Sequence, residues 1–70
     1  MYDYQKLLGL IKEHCGTQAN YAKALGIGTT TLNSRLKNQT FFKQNEILKS
    51  KELFDLKSAS EVDAVFFNKQ

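Results

Sequence analysis

The segment Gly26-Ile27-Gly28 interrupts a helical pattern after only eight residues, and it restricts the fold more than any other feature of the sequence. Residues 18–25 place three apolar side chains at helical spacing: Tyr21, Ala22 and Leu25. Two leucines restart the pattern after the interruption: Leu32 and Leu36. Gly26 can adopt the positive φ of a sharp reversal, and the small Ala22 allows two helices to pack closely. Residues 17–38 are therefore predicted to form two short helices joined by a three-residue turn.

The remaining residues also follow helical spacing, separated by short loops. Tyr4 to Cys15 reads as an amphipathic helix that Gly16 ends, and Thr17 is an N-cap for the next helix. A fourth helix is predicted over residues 44–56, with four residues turned inward: Ile47, Leu48, Phe54 and the stem of Lys51. A fifth begins at Ser58 or Ser60. With no proline and no useful strand-like alternation, we expect an all-α, compact bundle of about five short helices in a single domain, residues 1–70.

The charged residues are distributed unevenly along the chain. The formal net charge of +3 lies wholly in residues 1–38, where five cations stand against two acids: Lys6, Lys12, Lys23, Arg35 and Lys37 against Asp3 and Glu13. The stretch between Glu13 and Glu46 contains no acidic residue. Carboxylates would repel a phosphate backbone, so an acid-free stretch favours approach to a polyanion. Chance clustering in a short chain is the alternative interpretation.

Assigning the leucines of the third helix to the interior determines its outward face. The outward residues are all polar and none is acidic: Thr29, Thr30, Asn33, Ser34 and Lys37, with Arg35 on one flank. Consecutive threonines are poor helix formers, so helix stability does not explain them. Short hydroxyl side chains in the first turn can bond to base edges, and a threonine methyl can contact a thymine methyl. This pattern favours a helix, over residues 29–37, that enters the major groove of DNA.

The run QANYAKALGIGTTTLNSRLKN, residues 18–38, resembles the helix-turn-helix of phage Cro and CI repressors, the XRE-type family. The similarity continues through Phe42–Ile47 and Glu61–Phe67, as in short Cro-like regulators. It implies a lambda-repressor-like DNA-binding domain that acts as a transcriptional repressor on a double-stranded operator. By position it also implies two sets of contacts: base contacts by Thr29, Thr30, Asn33 and Ser34, and phosphate contacts by Gln18, Arg35, Lys37 and Asn38. A homodimer would read half-sites about 34 Å apart.

Other classes of function find little support in the residue pattern. Cys15 is the only cysteine and His14 the only histidine, so an internal disulfide is excluded and neither a metal cage nor a nucleophile–base pair is expected. The carboxylates alternate with lysines, as on a solvated helix face. No apolar run is long enough for a signal peptide or membrane span. We expect a cytoplasmic protein that is not an enzyme and uses no cofactor.

The main alternative is a protein-interaction role. The chain could be an antirepressor or modulator that binds another helix-turn-helix repressor protein and covers its DNA-reading surface. Six aromatic residues are many for so small a core: Tyr2, Tyr4, Phe41, Phe42, Phe66 and Phe67. We expect them to fill the core, with Phe41 and Phe42 anchoring their loop to it. The alternative is that some of them form a surface patch for a partner.

Overall fold

The computed structural model describes residues 1–69 and confirms the all-α fold. Five helices follow one another in the described chain: α1 Gln5–Cys15, α2 Gln18–Leu25, α3 Thr29–Leu36, α4 Gln44–Leu53 and α5 Ala59–Phe66. Helix α2 packs against α1, α3 and α4, while α5 packs against α1 and α4. None of the described helices is long and apolar enough to cross a membrane.

Side-chain hydrogen bonds set the first residues of α2 and α5. The side chain of Thr17 accepts the backbone N–H of Asn20 at 3.1 Å, which starts α2 as predicted. Ser58, rather than Ser60, starts α5, because its hydroxyl accepts the N–H of Glu61 at 3.2 Å. Each cap satisfies a backbone donor that the first turn of a helix leaves without a partner.

Helix α4 is shorter than the sequence pattern predicts. It ends at Leu53 rather than Leu56 because Asp55 takes a positive φ of 54°. The N–H of Leu56 then returns to the carbonyl of Lys51 at 2.9 Å, a bond that closes the C-terminal turn. Leu56 therefore belongs to the loop that leads to α5.

The core contains ten buried apolar residues: Tyr4, Leu7, Ile11, Tyr21, Ala22, Leu25, Leu32, Phe54, Val65 and Phe66. Tyr21 is fully buried, and its ring stacks on Phe54 with the ring centroids 5.4 Å apart. Its hydroxyl lies 2.5 Å from the hydroxyl of Ser50. Burial raises the pKa of the Tyr21 hydroxyl, so this group stays protonated and holds α2 against α4 as a neutral hydrogen-bonding group.

The inward face of α4 differs from the predicted one. The expectation that Leu48 and the stem of Lys51 face inward is wrong, since both residues are exposed. Glu46 and Ser50 are buried instead, at 2% and 0% exposure. Ser50 donates its hydroxyl to the carbonyl of Glu46 at 2.8 Å and also contacts Tyr21. Buried polar groups are tolerated here because each has a hydrogen-bond partner.

Candidate functional site

The reversal between α2 and α3 has helix-turn-helix geometry. Gly26 adopts the left-handed conformation, with φ 76° and ψ 28°. The next N–H, that of Ile27, bonds back to the carbonyl of Ala22 at 3.0 Å, and Ala22 itself is buried. A Cβ at Gly26 would meet only the Lys49 ammonium at 3.8 Å, so the turn needs glycine for its φ rather than for space. The predicted roles of Ala22 and Gly26 agree with this geometry.

Helix α3 presents an uncharged polar face to solvent. Thr29, Thr30 and Asn33 are exposed on this face, in the first two turns of the helix. Ser34 is only partly exposed, and its hydroxyl donates to the carbonyl of Thr30 at 3.3 Å, within the same helix. Thr29, Thr30 and Asn33 are therefore available to a partner, while the hydroxyl of Ser34 already has an acceptor.

Arg35 does not lie on the exposed face, and the prediction that it contacts phosphate is wrong. Its side chain is 8% exposed and bonds to the carboxylate of Glu46 through two nitrogens, Nε to Oε1 at 2.6 Å and Nη2 to Oε2 at 3.1 Å. Nη1 donates to the hydroxyl of Thr40 at 3.0 Å. The guanidinium therefore joins α3 to α4, and little of it reaches solvent.

The same contacts set the charge states of the buried pair. The hydrogen bond to Glu46 raises the pKa of Arg35, and burial opposes this only in part. Burial alone would raise the pKa of Glu46, but the hydrogen bonds from the Arg35 side chain and the Lys43 backbone outweigh it and hold that pKa below its ordinary value. Both groups are ionised at neutral pH, and their charges cancel.

Asn38 is also occupied within the fold. It has a positive φ of 63°, and its side chain bonds to both backbone groups of Tyr2: Oδ1 accepts the N–H at 2.8 Å and Nδ2 donates to the carbonyl at 3.1 Å. Tyr2 also pairs with Lys69 in an isolated antiparallel bridge. Asn38 thus anchors the N-terminal segment, and the prediction that its side chain holds phosphate does not fit this geometry.

The exposed charge of the helix-turn-helix is lower than the sequence indicates. Gln18 and Lys37, two of the predicted phosphate contacts, are exposed, as is Lys23. With Arg35 neutralised, Lys23 and Lys37 are the remaining cations of residues 17–38. Glu46 lies outside the acid-free stretch in sequence, but the fold places its carboxylate against α3. No spacing rule within residues 17–38 could have revealed that contact.

A second surface carries three aromatic rings in contact, which we call the aromatic patch: Tyr2, Phe41 and Phe67. The Tyr2 ring centroid lies 6.4 Å from that of Phe41 and 6.0 Å from that of Phe67, and both pairs are edge-to-face. Phe41 is 76% exposed and Phe67 is 45% exposed. Contiguous exposed apolar patches, unlike single exposed apolar residues, are typical of interaction sites. The aromatic patch is therefore a candidate protein-binding surface.

The other aromatic residues named in the sequence analysis fill the core. Tyr4 and Phe66 are buried, and Phe42 packs partly buried against both, at centroid distances of 5.5 and 5.2 Å. The pairs Phe41-Phe42 and Phe66-Phe67 each divide between surface and core. Neighbouring residues in a chain point in different directions, so the doubled phenylalanines were the signal that one member of each pair would face solvent.

Known proteins similar to this chain include a phage regulator. Over residues 1–69 the chain matches the family described as protein of unknown function (DUF739). It is also similar to the modulator of repression (MOR) of the temperate bacteriophage TP901-1 from Lactococcus lactis, whose solution structure superposes with a TM-score of 0.78. The two sequences are 40% identical, and the match covers 96% of this chain and 89% of that one. Curated protein sequences give no match.

Proposed function

We propose that this chain, which belongs to the DUF739 family, is a phage modulator of repression that binds a repressor protein and alters the binding of that repressor to DNA. The observation that carries the proposal is the 40% identity to a modulator of repression over 96% of the chain, together with the shared fold. The preferred interpretation of the sequence, a Cro-like repressor that reads DNA itself, becomes the second candidate.

The electrostatics of α2 and α3 support a protein partner. Affinity for DNA comes largely from Lys and Arg side chains that neutralise phosphates. Residues 17–38 expose only two cations, Lys23 and Lys37, because Arg35 is buried in an ion pair with Glu46. The remaining outward residues of α3 are short and uncharged, so they add little attraction to a polyanion. Such a surface suits a protein whose own polar groups need hydrogen-bond partners.

The aromatic patch supports the same conclusion. Aromatic residues are enriched among the few side chains that dominate the affinity of a protein interface. Phe41 is the most exposed of them, and it reaches Tyr2, which is tied to the end of α3 by Asn38. A repressor docked on the patch would therefore lie beside the last turn of α3. We propose that Phe41 and Phe67 are the principal anchors of this docking.

The experiment is a calorimetric titration of the chain with the helix-turn-helix repressor encoded in the same genome. We expect binding with a dissociation constant of about 1 μM or below. Phe41→Ala should weaken it about tenfold or more, whereas Leu8→Ala, a matched exposed apolar residue on α1, should change it less than about twofold. Absence of binding by the unmodified chain would contradict the proposed function, and equal losses for both variants would contradict the aromatic anchors.

Operator binding by the chain itself is the second candidate, favoured by the exposure of Thr29, Thr30 and Asn33 beside a turn of helix-turn-helix geometry. Fluorescence anisotropy with duplex DNA at several salt concentrations tests it. Lys23 and Lys37 are the exposed cations of residues 17–38. With two phosphate contacts from them, the logarithm of the affinity should fall with the logarithm of the salt concentration with a slope of about −1.8. Lys37→Ala should reduce that slope by about 1, and Thr30→Ala should alter sequence preference. Salt-insensitive or undetectable binding would remove this candidate.

The resemblance to Cro and CI repressors, the cytoplasmic location and the absence of enzymatic activity stay predictions. Direct contact with bases by Thr29, Thr30, Asn33 and Ser34 belongs to the second candidate. A modulator that acts only through a repressor needs none of these contacts.

A further inference from the structure

The outward side of α4 carries an apolar surface that neither the helix-turn-helix nor the aromatic patch includes. Leu48 is 54% exposed and Leu53 is 37% exposed. A shallow groove lies on each side of this helix. The first, of about 320 Å³, is lined by Ala24, Leu25, Lys49, Glu52 and Leu53. The second, of about 430 Å³, is lined by Leu48, Lys51, Glu52, Asp55 and Leu56.

This surface carries charges of both signs. Four charged residues border the leucines, Lys49, Lys51, Glu52 and Asp55, and Asp55 is paired with the exposed Lys57 at 3.9 Å. The side chains of Lys51 and Glu52 are both exposed, and each is free of an ion pair in the described structure. Opposite charges placed next to each other on one helix can meet their complements on a partner that carries the same pattern.

We propose that this face of α4 binds a second copy of the chain, with the two α4 helices antiparallel across a two-fold axis beside Lys51 and Glu52. A two-fold interface uses the same patch on both partners, so that patch must be complementary to itself. In this register Lys51 of each copy faces Glu52 of the other. Leu48 of each copy meets the far end of the opposite groove, where Asp55 and Leu56 lie.

The adjacent opposite charges of Lys51 and Glu52 favour a second copy as the occupant. A surface with one predominant sign would repel itself, whereas these two side chains are exposed, have no ion pair in the described structure and can each meet the opposite charge of a second copy. The exposed Leu48 also lines the second groove, so it supplies apolar surface at that groove for a second copy to cover. One face of a ten-residue helix is small compared with a standard interface, so the dimer is expected at the weak end of specific association.

Sedimentation equilibrium of the full chain measures the association. We expect a concentration-dependent shift from monomer to dimer at concentrations up to about 1 mM. Leu48→Glu should abolish the shift, and Leu8→Glu, at a similarly exposed leucine on α1, should leave it unchanged. A chain that stays monomeric over the whole range, or equal effects of the two substitutions, overturns the proposal. No repressor is present, so the outcome is independent of the proposed function.

Charge exchange tests the register. Lys51→Glu alone and Glu52→Lys alone each place like charges across the two-fold axis, and each should weaken the dimer about fivefold or more. The double exchange restores opposite charges and should return the association constant to within about twofold of the original. Failure of the double variant to recover, when both single variants are folded by circular dichroism, overturns the antiparallel register.

Discussion

Removal of Arg35 should destabilise the fold rather than weaken a surface contact. Its guanidinium makes three hydrogen bonds, two to Glu46 and one to Thr40, and the side chain is 8% exposed. Arg35→Met leaves the Glu46 carboxylate buried, with only the Lys43 N–H at 3.2 Å as its partner. Removing one partner of a buried ion pair lowers the free energy of unfolding by about 3–5 kcal/mol. A domain of this size has a free energy of unfolding of about 4–10 kcal/mol, so the variant should lose a large part of its stability.

Urea unfolding followed by circular dichroism measures this loss, and a double-mutant cycle assigns it to the pair. Arg35→Met and Glu46→Met should each be strongly destabilising. The double variant should lose less than the sum of the two, by about 0.5–3 kcal/mol, because neither charge is then left buried alone. Lys37→Met is the control, since this neighbouring cation is exposed and its loss should cost within about 0.5 kcal/mol.

Three results would refute this account of Arg35. If Arg35→Met and Lys37→Met unfold at the same urea concentration as the unmodified chain, the guanidinium is not buried against Glu46 in solution. If Arg35→Met instead abolishes salt-dependent duplex binding while the free energy of unfolding is unchanged, Arg35 contacts phosphate as the resemblance to repressors implies. Additive losses in the cycle would show that Arg35 and Glu46 act independently.

Three further predictions concern stability. The folded-state pKa of Glu46 lies below its ordinary value of 4.5. The ionised carboxylate therefore contributes fully to the free energy of unfolding at neutral pH, and this contribution is lost as the pH falls through the folded-state pKa. Acid unfolding of Glu46→Gln should accordingly depend less on pH in that range. Tyr21→Phe should cost about 1 kcal/mol in urea unfolding, since Ser50 keeps its bond to the Glu46 carbonyl, and no loss would contradict the Tyr21–Ser50 bond. Gly26→Ala should lower the thermal midpoint through the positive φ, and an unchanged midpoint would argue against the left-handed turn.

Features that depend on neighbouring residues were predictable from the sequence. The boundaries of α2 follow from its N-cap Thr17 and the left-handed Gly26, which lie within ten residues of chain. The all-α architecture follows from helical spacing and the absence of proline. The exposure of Phe41 and Phe67 was not predicted, because the aromatic residues were expected to fill the core. The neighbouring phenylalanine that packs inward beside each of them was the available signal.

Features that depend on contacts between distant residues were decided by the tertiary structure alone. Arg35 and Glu46 are eleven residues apart, and Tyr2 and Asn38 thirty-six. The sequence pattern placed Arg35 and Glu46 in solvent, because periodicity places polar residues outside by default. The resemblance to repressors then implied that Arg35 and Asn38 contact phosphates. The side-chain contact between Arg35 of α3 and Glu46 of α4 reversed this assignment, because each buried charge is compensated by a hydrogen-bonded opposite charge.

The turn at Gly26 was determined by the sequence, because a single residue without a Cβ suffices to adopt its conformation. The charge of the surface beside that turn was not, because net charge depends on which side chains reach solvent and which meet a partner. In the folded chain, Arg35 is buried against Glu46 and does not contribute charge to the outward face of α3. The fold also places Tyr2, Phe41 and Phe67, from three separate segments, in contact. This arrangement of charge and apolar surface agrees with the protein partner that we propose from the similarity to a modulator of repression.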